Sequence, residues 1–205
     1  NITMNLPRFF CPLALSAGVS VDLPDSAARH AARVLRLRSG DDLTLFDGRG
    51  GEYAARIAQV ERERVRVDVL AWDARECESP LALTLVQALQ AGEKMDLTVQ
   101  KAVELGVGRI VPVLARRSVV RLDGARAARR VEHWRGVAAS ACEQCGRTRV
   151  PDVAELQGLE RWLAQPAPAG ALRLMLAPGA EHTLATLAPP PAGSPIELLI
   201  GSEGG

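Results

Sequence analysis

The strongest constraint on the fold lies beyond residue 80, where short apolar runs alternate with stretches of helical periodicity. Leu81-Ala-Leu-Thr-Leu-Val-Gln-Ala-Leu89, Arg109-Ile-Val-Pro-Val-Leu-Ala115, Leu172-Arg-Leu-Met-Leu-Ala177 and Ile196-Glu-Leu-Leu-Ile200 are apolar along nearly their whole length. Runs of that kind are strands buried on both faces. Between them the spacing predicts helices over 94–105, 125–145 and 156–163, the second carrying Val131, Trp134, Val137, Ala138 and Ala141 on one stripe. Strands alternating with helices imply a parallel sheet with right-handed crossovers. In such sheets ligands bind outside the carboxyl ends of the strands. The last run passes directly into Gly201-Ser-Glu-Gly-Gly205, and glycines there let a ligand approach the backbone. The loop matches neither the dinucleotide fingerprint nor a phosphate-binding loop. Its pattern is therefore compatible with a plain connection as well as a ligand site.

Residues 5–73 follow a different rhythm. The stretches 42–47, 52–60 and 64–72 read as strands, and Arg64-Val-Arg-Val-Asp-Val alternates as a half-exposed strand does. Phe46-Asp-Gly-Arg-Gly-Gly51 supplies a glycine-rich hairpin connection, and Glu61-Arg-Glu a charged turn. A helix is predicted over 25–37, capped by Asp25 or Ser26. It brings His30, Arg33, Arg36 and Arg38 together, either as a solvated face or as a surface matching phosphate geometry. The polar segment 74–80 is taken as the boundary, giving a small β-rich domain over 5–75 and an α/β domain over 80–205.

The net charge is +1, and apart from Lys94 and Lys101 the cationic side chains are all Arg. A near-neutral total leaves nucleic-acid binding open, because clustering of the Arg residues decides it. No run approaches the ~20 apolar residues of a membrane span, and no secretion signal opens the sequence. The expectation is a cytoplasmic protein without a membrane partner, whose cysteines Cys11, Cys77, Cys142 and Cys145 are reduced. Cys142 and Cys145 lack the further ligands zinc needs and fall late in a helix, unlike a redox pair, so they are expected to pack on one helix face. No metal site is expected. Gln90-Ala-Gly-Glu-Lys94 lacks the NTPase frame, and Glu93 and Asp96 suit a helix N-terminus. Arg147 and Arg149, after the terminator Gly146, suit either a helix C-terminus or anion recognition. His30 and His133 are single histidines, of a kind more often structural than catalytic.

Pro7-Arg8-Phe9-Phe10, His30-x-x-Arg33-Val34-Leu35-Arg36, Phe46-Asp-Gly, Gly92-Glu-Lys-Met-Asp96, Gln100-Lys101-x-x-Glu104-Leu105-Gly106, Ala141-Cys-Glu-Gln-Cys-Gly-Arg147 and Leu199-Ile-Gly-Ser-Glu-Gly-Gly205 together resemble the bacterial 16S rRNA (uracil(1498)-N3)-methyltransferases. The resemblance covers almost the whole chain, in the family's order. It implies an N-terminal PUA-like β-barrel for RNA and a C-terminal SPOUT α/β domain whose trefoil knot holds S-adenosylmethionine. It also implies a homodimer acting on 16S rRNA or the assembled 30S subunit. The cofactor residues it implies are Leu176, Leu199, Ile200, Gly201, Glu203, Gly204 and Gly205. Glu203 is the candidate proton acceptor, and Arg147 the group that offsets charge on the uracil or a flanking phosphate. Arg8, Arg33, Arg36, Lys94, Lys101 and Arg116 are the candidate RNA contacts.

Ser202 stands where the family usually has proline, and family members continue past the final glycines, so the knot is expected to be incomplete within these 205 residues. An RNA-binding module on an inactive methyltransferase platform is the alternative. A nucleotide-dependent oxidoreductase lacks its glycine fingerprint.

Overall fold

The computed structural model describes residues 6–62, 64–115 and 124–202. Contacts divide the chain into two units, Asn1–Glu78 with Cys142–Val150, and Ser79–Ala141 with Pro151–Gly205. The helix predicted over 125–145 thus contributes its last turn to the first unit, an assignment that periodicity alone does not make.

The first unit is built on a five-stranded sheet in the order β1-β3-β4-β5-β2. These strands are β1 (Arg8–Phe10), β2 (Ser20–Asp22), β3 (Asp42–Phe46), β4 (Glu52–Glu61) and β5 (Arg64–Asp73). All neighbours are antiparallel except β1, which runs parallel to β3. Alternation in β5 works as expected: Val65, Val67 and Val69 are buried, while Arg64 and Arg66 face solvent. These valines join Phe9, Leu43, Leu45 and Ile57 in one core. Two register shifts against β5 bend β4. The three-residue strands β1 and β2 were not expected, being too short to show a period.

The helix predicted over 25–37 needs correction. It is α1 (Asp25–Arg29), continued by one π-helical stretch, His30–Val34. Pro24, not Asp25 or Ser26, occupies the N-cap, and no side chain caps the helix. Asp25 instead places its charge in the first turn, where the helix dipole favours it. Just past its C-cap Leu35, Arg36 is held at φ +55°, a left-handed conformation costly for a residue with a Cβ.

The second unit is a parallel sheet in the order β10-β11-β6-β7-β8, with β9 also on β7. Its elements are β6 (Leu83–Ala88), α2 (Lys94–Glu104), β7 (Arg109–Leu114), α3 (Gly124–Cys145), β8 (Asp152–Val153), β9 (Gln157–Gly158), α4 (Leu159–Leu163), β10 (Leu172–Met175) and β11 (Ile196–Ile200). Every pair in it is parallel. Val86, Ala88, Val111, Val113, Trp162 and Leu199 form a core cluster there. Among the described residues no helix is long and apolar enough to cross a membrane.

A polar clasp joins α2 to α3. Trp134, 1% exposed, donates its indole N–H to Asp96 Oδ1 at 3.1 Å, and His133 Nε2 lies 2.7 Å from Asp96 Oδ2. Arg130 covers the Trp134 ring at 5.6 Å. Asp96 is thus a cross-helix acceptor as well as an N-terminal charge. Asp96→Ala leaves a buried indole N–H without its acceptor and is expected to cost about 1–3 kcal/mol. Urea unfolding followed by tryptophan fluorescence measures it; an unchanged midpoint would show that the clasp contributes nothing.

Candidate functional site

Strand order in the second unit marks one edge of the sheet as the candidate ligand site. β6 leads to β7 and β8 on one side, whereas β10 and β11 return on the other, so sequence order breaks between β11 and β6. Crevices at the carboxyl ends of strands flanking such a break are where open α/β sheets take ligands. The β6–β11 register runs from Leu83↔Ile196 to Gln87↔Ile200, so the two strands end side by side. Beyond β10, Leu176 N–H donates to the Leu199 carbonyl at 3.1 Å. Leu176, Leu199, Ile200 and Gly201 therefore gather at one edge of the sheet. Leu199 is buried there, while Met175 and Leu176 are 66% and 54% exposed. Large apolar side chains left open beside a glycine suit a flat, partly apolar ligand. Glu203, Gly204 and Gly205 lie outside the described residues.

Gln87, on β6 at the same edge, makes a contact that pattern reading does not single out. Its Nε2 donates to the Ala88 carbonyl at 2.9 Å and to the Gly201 carbonyl at 3.3 Å. The available signal was an amide inside an apolar strand, since a buried polar group needs partners. After the strand, Gln90 Oε1 accepts from the Thr98 hydroxyl at 2.7 Å, tying the β6–α2 loop to the helix.

In the first unit, Arg147 is buried rather than presented to solvent. Its Nε and an Nη donate to Glu78 Oε2 at 3.0 and 2.5 Å. Thr148 Oγ1 donates to Glu76 at 2.7 Å, and Arg149 Nε to the same carboxylate at 2.8 Å. Arg149 and Thr148 hold the Glu76 carboxyl below its usual range. Gly50, at φ +111°, admits this arrangement, because a Cβ there would lie 2.5 Å from the Arg149 guanidinium. The segment 74–80, expected as a plain boundary, thus supplies the two carboxylates that hold residues 147–149.

Arg8 joins the same framework. It pairs with Glu52, lies 5.1 Å over the Phe46 ring and donates to the Arg147 carbonyl at 3.1 Å. Its side chain is 11% exposed, which leaves little of it for an RNA phosphate. Arg33, Arg36 and Lys94 are exposed, and Lys101, also exposed, is engaged by Glu104 at 2.7 Å. Arg116 lies outside the described residues. Cys142 is buried, with its thiol pushed up to about 12 by desolvation, so it stays protonated and inert. Cys145 is exposed and does not share that packing. Among the described residues no cluster of His, Cys, Asp and Glu could hold a metal.

Two family models cover the sequence. An RNA methyltransferase domain matches residues 77–205, and an RNA methyltransferase PUA domain matches residues 23–70. The chain belongs to the RNA methyltransferase family. It is 34% identical over 180 residues to the ribosomal RNA small subunit methyltransferase E of Mycobacterium bovis, covering 86% of this chain and 68% of that protein. The protein of the same name from Buchnera aphidicola is 27% identical over 98% of this chain and 80% of its own length. The structure of this chain is similar to that of a ribosomal RNA small subunit methyltransferase E from Neisseria gonorrhoeae bound to S-adenosyl methionine, with TM-score 0.91 and 41% identity over 98% of this chain and 81% of that one. A methyltransferase from Legionella pneumophila in complex with the same cofactor gives TM-score 0.90 at 32% identity, over 98% and 82% of the two chains. The expected fold class, a PUA-like β unit and a parallel-sheet methyltransferase unit, is the one found.

Glu143 accepts the Phe10 N–H at 2.9 Å, and burial raises its carboxyl above the ordinary range, opposed first by that hydrogen bond and then by the nearby basic groups of His30 and Arg8. A raised carboxyl binds its proton more tightly in the folded state, so its contribution to stability falls as pH rises from the unfolded pKa through the folded one. Glu143→Gln keeps an acceptor for Phe10 and removes the buried charge. Its stability relative to wild type is expected to rise between pH 4 and about pH 7. Urea midpoints of both proteins at the two pH values check this, and a pH-independent difference would refute it.

Proposed function

We propose that the chain transfers a methyl group from S-adenosylmethionine to N3 of uridine 1498 in 16S rRNA of the small ribosomal subunit, as a cytoplasmic homodimer. The observation carrying this reading is the edge where β6, β10 and β11 end together beside Gly201. Exposed Met175 and Leu176 and the glycine backbone fit a ligand with an apolar, planar portion. Leu176, Leu199, Ile200 and Gly201 would hold the cofactor together with Glu203, Gly204 and Gly205. Bound there, S-adenosylmethionine supplies an electrophilic methyl group on a sulfonium.

The chain's own work is to remove a proton and align the base. Uracil N3 carries a weakly acidic proton that must leave as the N–C bond forms and the C–S bond breaks, its electron pair staying on sulfur. Glu203 is assigned as acceptor of that proton. For Arg147 to offset charge on the uracil or a flanking phosphate, that anion must displace Glu78. Arg33, Arg36, Lys94, Lys101 and Arg116 are assigned to RNA phosphates, whereas Arg8 is reassigned to positioning because Glu52 and Phe46 already engage it.

Glu203→Gln is expected to lower the single-turnover methylation rate by about 10²-fold or more and to reduce cofactor affinity far less; equal losses in both would leave Glu203 with cofactor binding alone. Replacing Arg33 and Arg36 by Gln should flatten the slope of log affinity for 16S rRNA against log salt by about 1 to 2; an unchanged slope removes both from the interface. Calorimetry with S-adenosylmethionine on the intact protein separates an enzyme from an RNA-binding module on an inactive platform, since the module would bind none.

A further inference from the structure

Gln87 is 1% exposed, within a strand whose neighbours Val86 and Ala88 belong to the apolar cluster. Leucine or methionine would fill a similar volume without giving up hydration. A buried amide is retained at no cost only where its hydrogens find acceptors. One of those acceptors lies on its own strand, the Ala88 carbonyl. The other is the Gly201 carbonyl, 114 positions away in sequence. Ile200 is the last β11 residue in register with β6, and its partner is Gln87 itself. Gly201 is therefore the first residue past the ladder, and the side-chain hydrogen bond takes over where backbone pairing stops.

This contact governs the peptide unit that opens the glycine loop. A peptide bond is planar and trans, so the Gly201 carbonyl and the Ser202 N–H point in opposite directions. With the carbonyl tied to Gln87, the Ser202 N–H is aimed away from it. Glycine at 201 has no Cβ to resist this orientation, and nothing else in the residue restrains it.

We propose that Gln87 is a positioning residue for the methyl donor: it anchors the first peptide of the glycine loop in the orientation that accepts S-adenosylmethionine. This rests on the function proposed above. Gln87 acts through Gly201 and takes no part in proton transfer.

The test uses the intact protein, with S-adenosylmethionine binding measured by calorimetry and amide hydrogen exchange of Gly201 and Ser202 measured without cofactor. Gln87→Met keeps the length and removes the donor; Gln87→Glu keeps the shape and replaces the donor by an acceptor; Gln87→Asn keeps an amide with a shorter reach. Both Gln87→Met and Gln87→Glu are expected to weaken cofactor binding about tenfold or more and to speed exchange at Gly201 and Ser202. RNA affinity should not change, and kcat at saturating cofactor should stay within about threefold of wild type, so that the loss falls on KM. Gln87→Asn should recover part of the affinity. If Gln87→Met does not fold, Gln87→Glu and Gln87→Asn carry the same comparison. Wild-type cofactor affinity in a folded variant lacking the donor, or unchanged exchange at the loop, overturns the proposal. If the wild-type protein itself binds no S-adenosylmethionine, the proposed function fails, and the exchange measurement still decides whether Gln87 anchors the loop.

Discussion

The arrangement of the second unit depends on the parallel pairing of β11 with β6. Five residue pairs bring the last strand, which leads into the glycine loop, beside the first strand of the same sheet. Closing so long a connection costs little more than closing one half its length, because loop entropy grows only logarithmically. Burial opposes that cost: Leu199 of β11 and Val86 and Ala88 of β6 enter a cluster with Val111, Val113 and Trp162. β11 also carries Glu197, a buried carboxylate that Arg173 on neighbouring β10 neutralises while its guanidinium lies 4.5 Å over the Trp162 ring. A buried charge of this kind penalises any register that separates the two partners. Gly201, the first residue past β11, is therefore placed by a core and an ion pair on the strand that leads to it.

A comparable dependence holds in the first unit, where polar contacts replace an apolar seam. Residues 147–149 carry two arginines and a threonine, and Glu76 and Glu78 receive all three side chains. Arg147 is nearly buried, so its ion pair with Glu78 contributes less net stability than its short distance suggests, since both groups lose hydration. Its effect is on specificity, because either partner alone would be a costly buried charge. The Arg8 contact to the Arg147 carbonyl, and Glu143 under the Phe10 N–H, tie the same segment to β1. This explains why so short a strand as β1 stays in place.

The parts of the fold legible in the sequence were those with a clear period. β5 showed alternation, β6, β7 and β11 showed continuous apolar character, α3 showed a helical stripe and α2 a glycine terminator; each lies close to its expected place. What failed was local and short. β1, β2, β8 and β9 have two or three residues and no period, and the π-helical stretch at His30–Val34 has no sequence code distinct from an ordinary helix turn. The candidate site divided the same way. Leu199, Ile200 and Gly201 belong to one motif, and they lie with Leu176 at one edge of the sheet. Gln87, Glu76 and Glu78 were missed, because each has a partner whose position no local pattern specifies. For Arg8 and Arg147, the residue type suggested exposed anion contacts, whereas Glu52 and Glu78 claim their guanidinium groups.

The sequence by itself determined two kinds of layer, a β-rich unit followed by a parallel α/β unit, because side-chain periodicity reports directly which faces are buried. It also determined the family, through seven motifs in one order. Only the tertiary structure decided which charged side chains are buried against a counter-charge. A guanidinium or carboxylate reads identically in sequence whether it faces solvent or a buried counter-charge, and it is the tertiary fold that brings the partner from 44 residues away to Arg8 and 69 to Arg147.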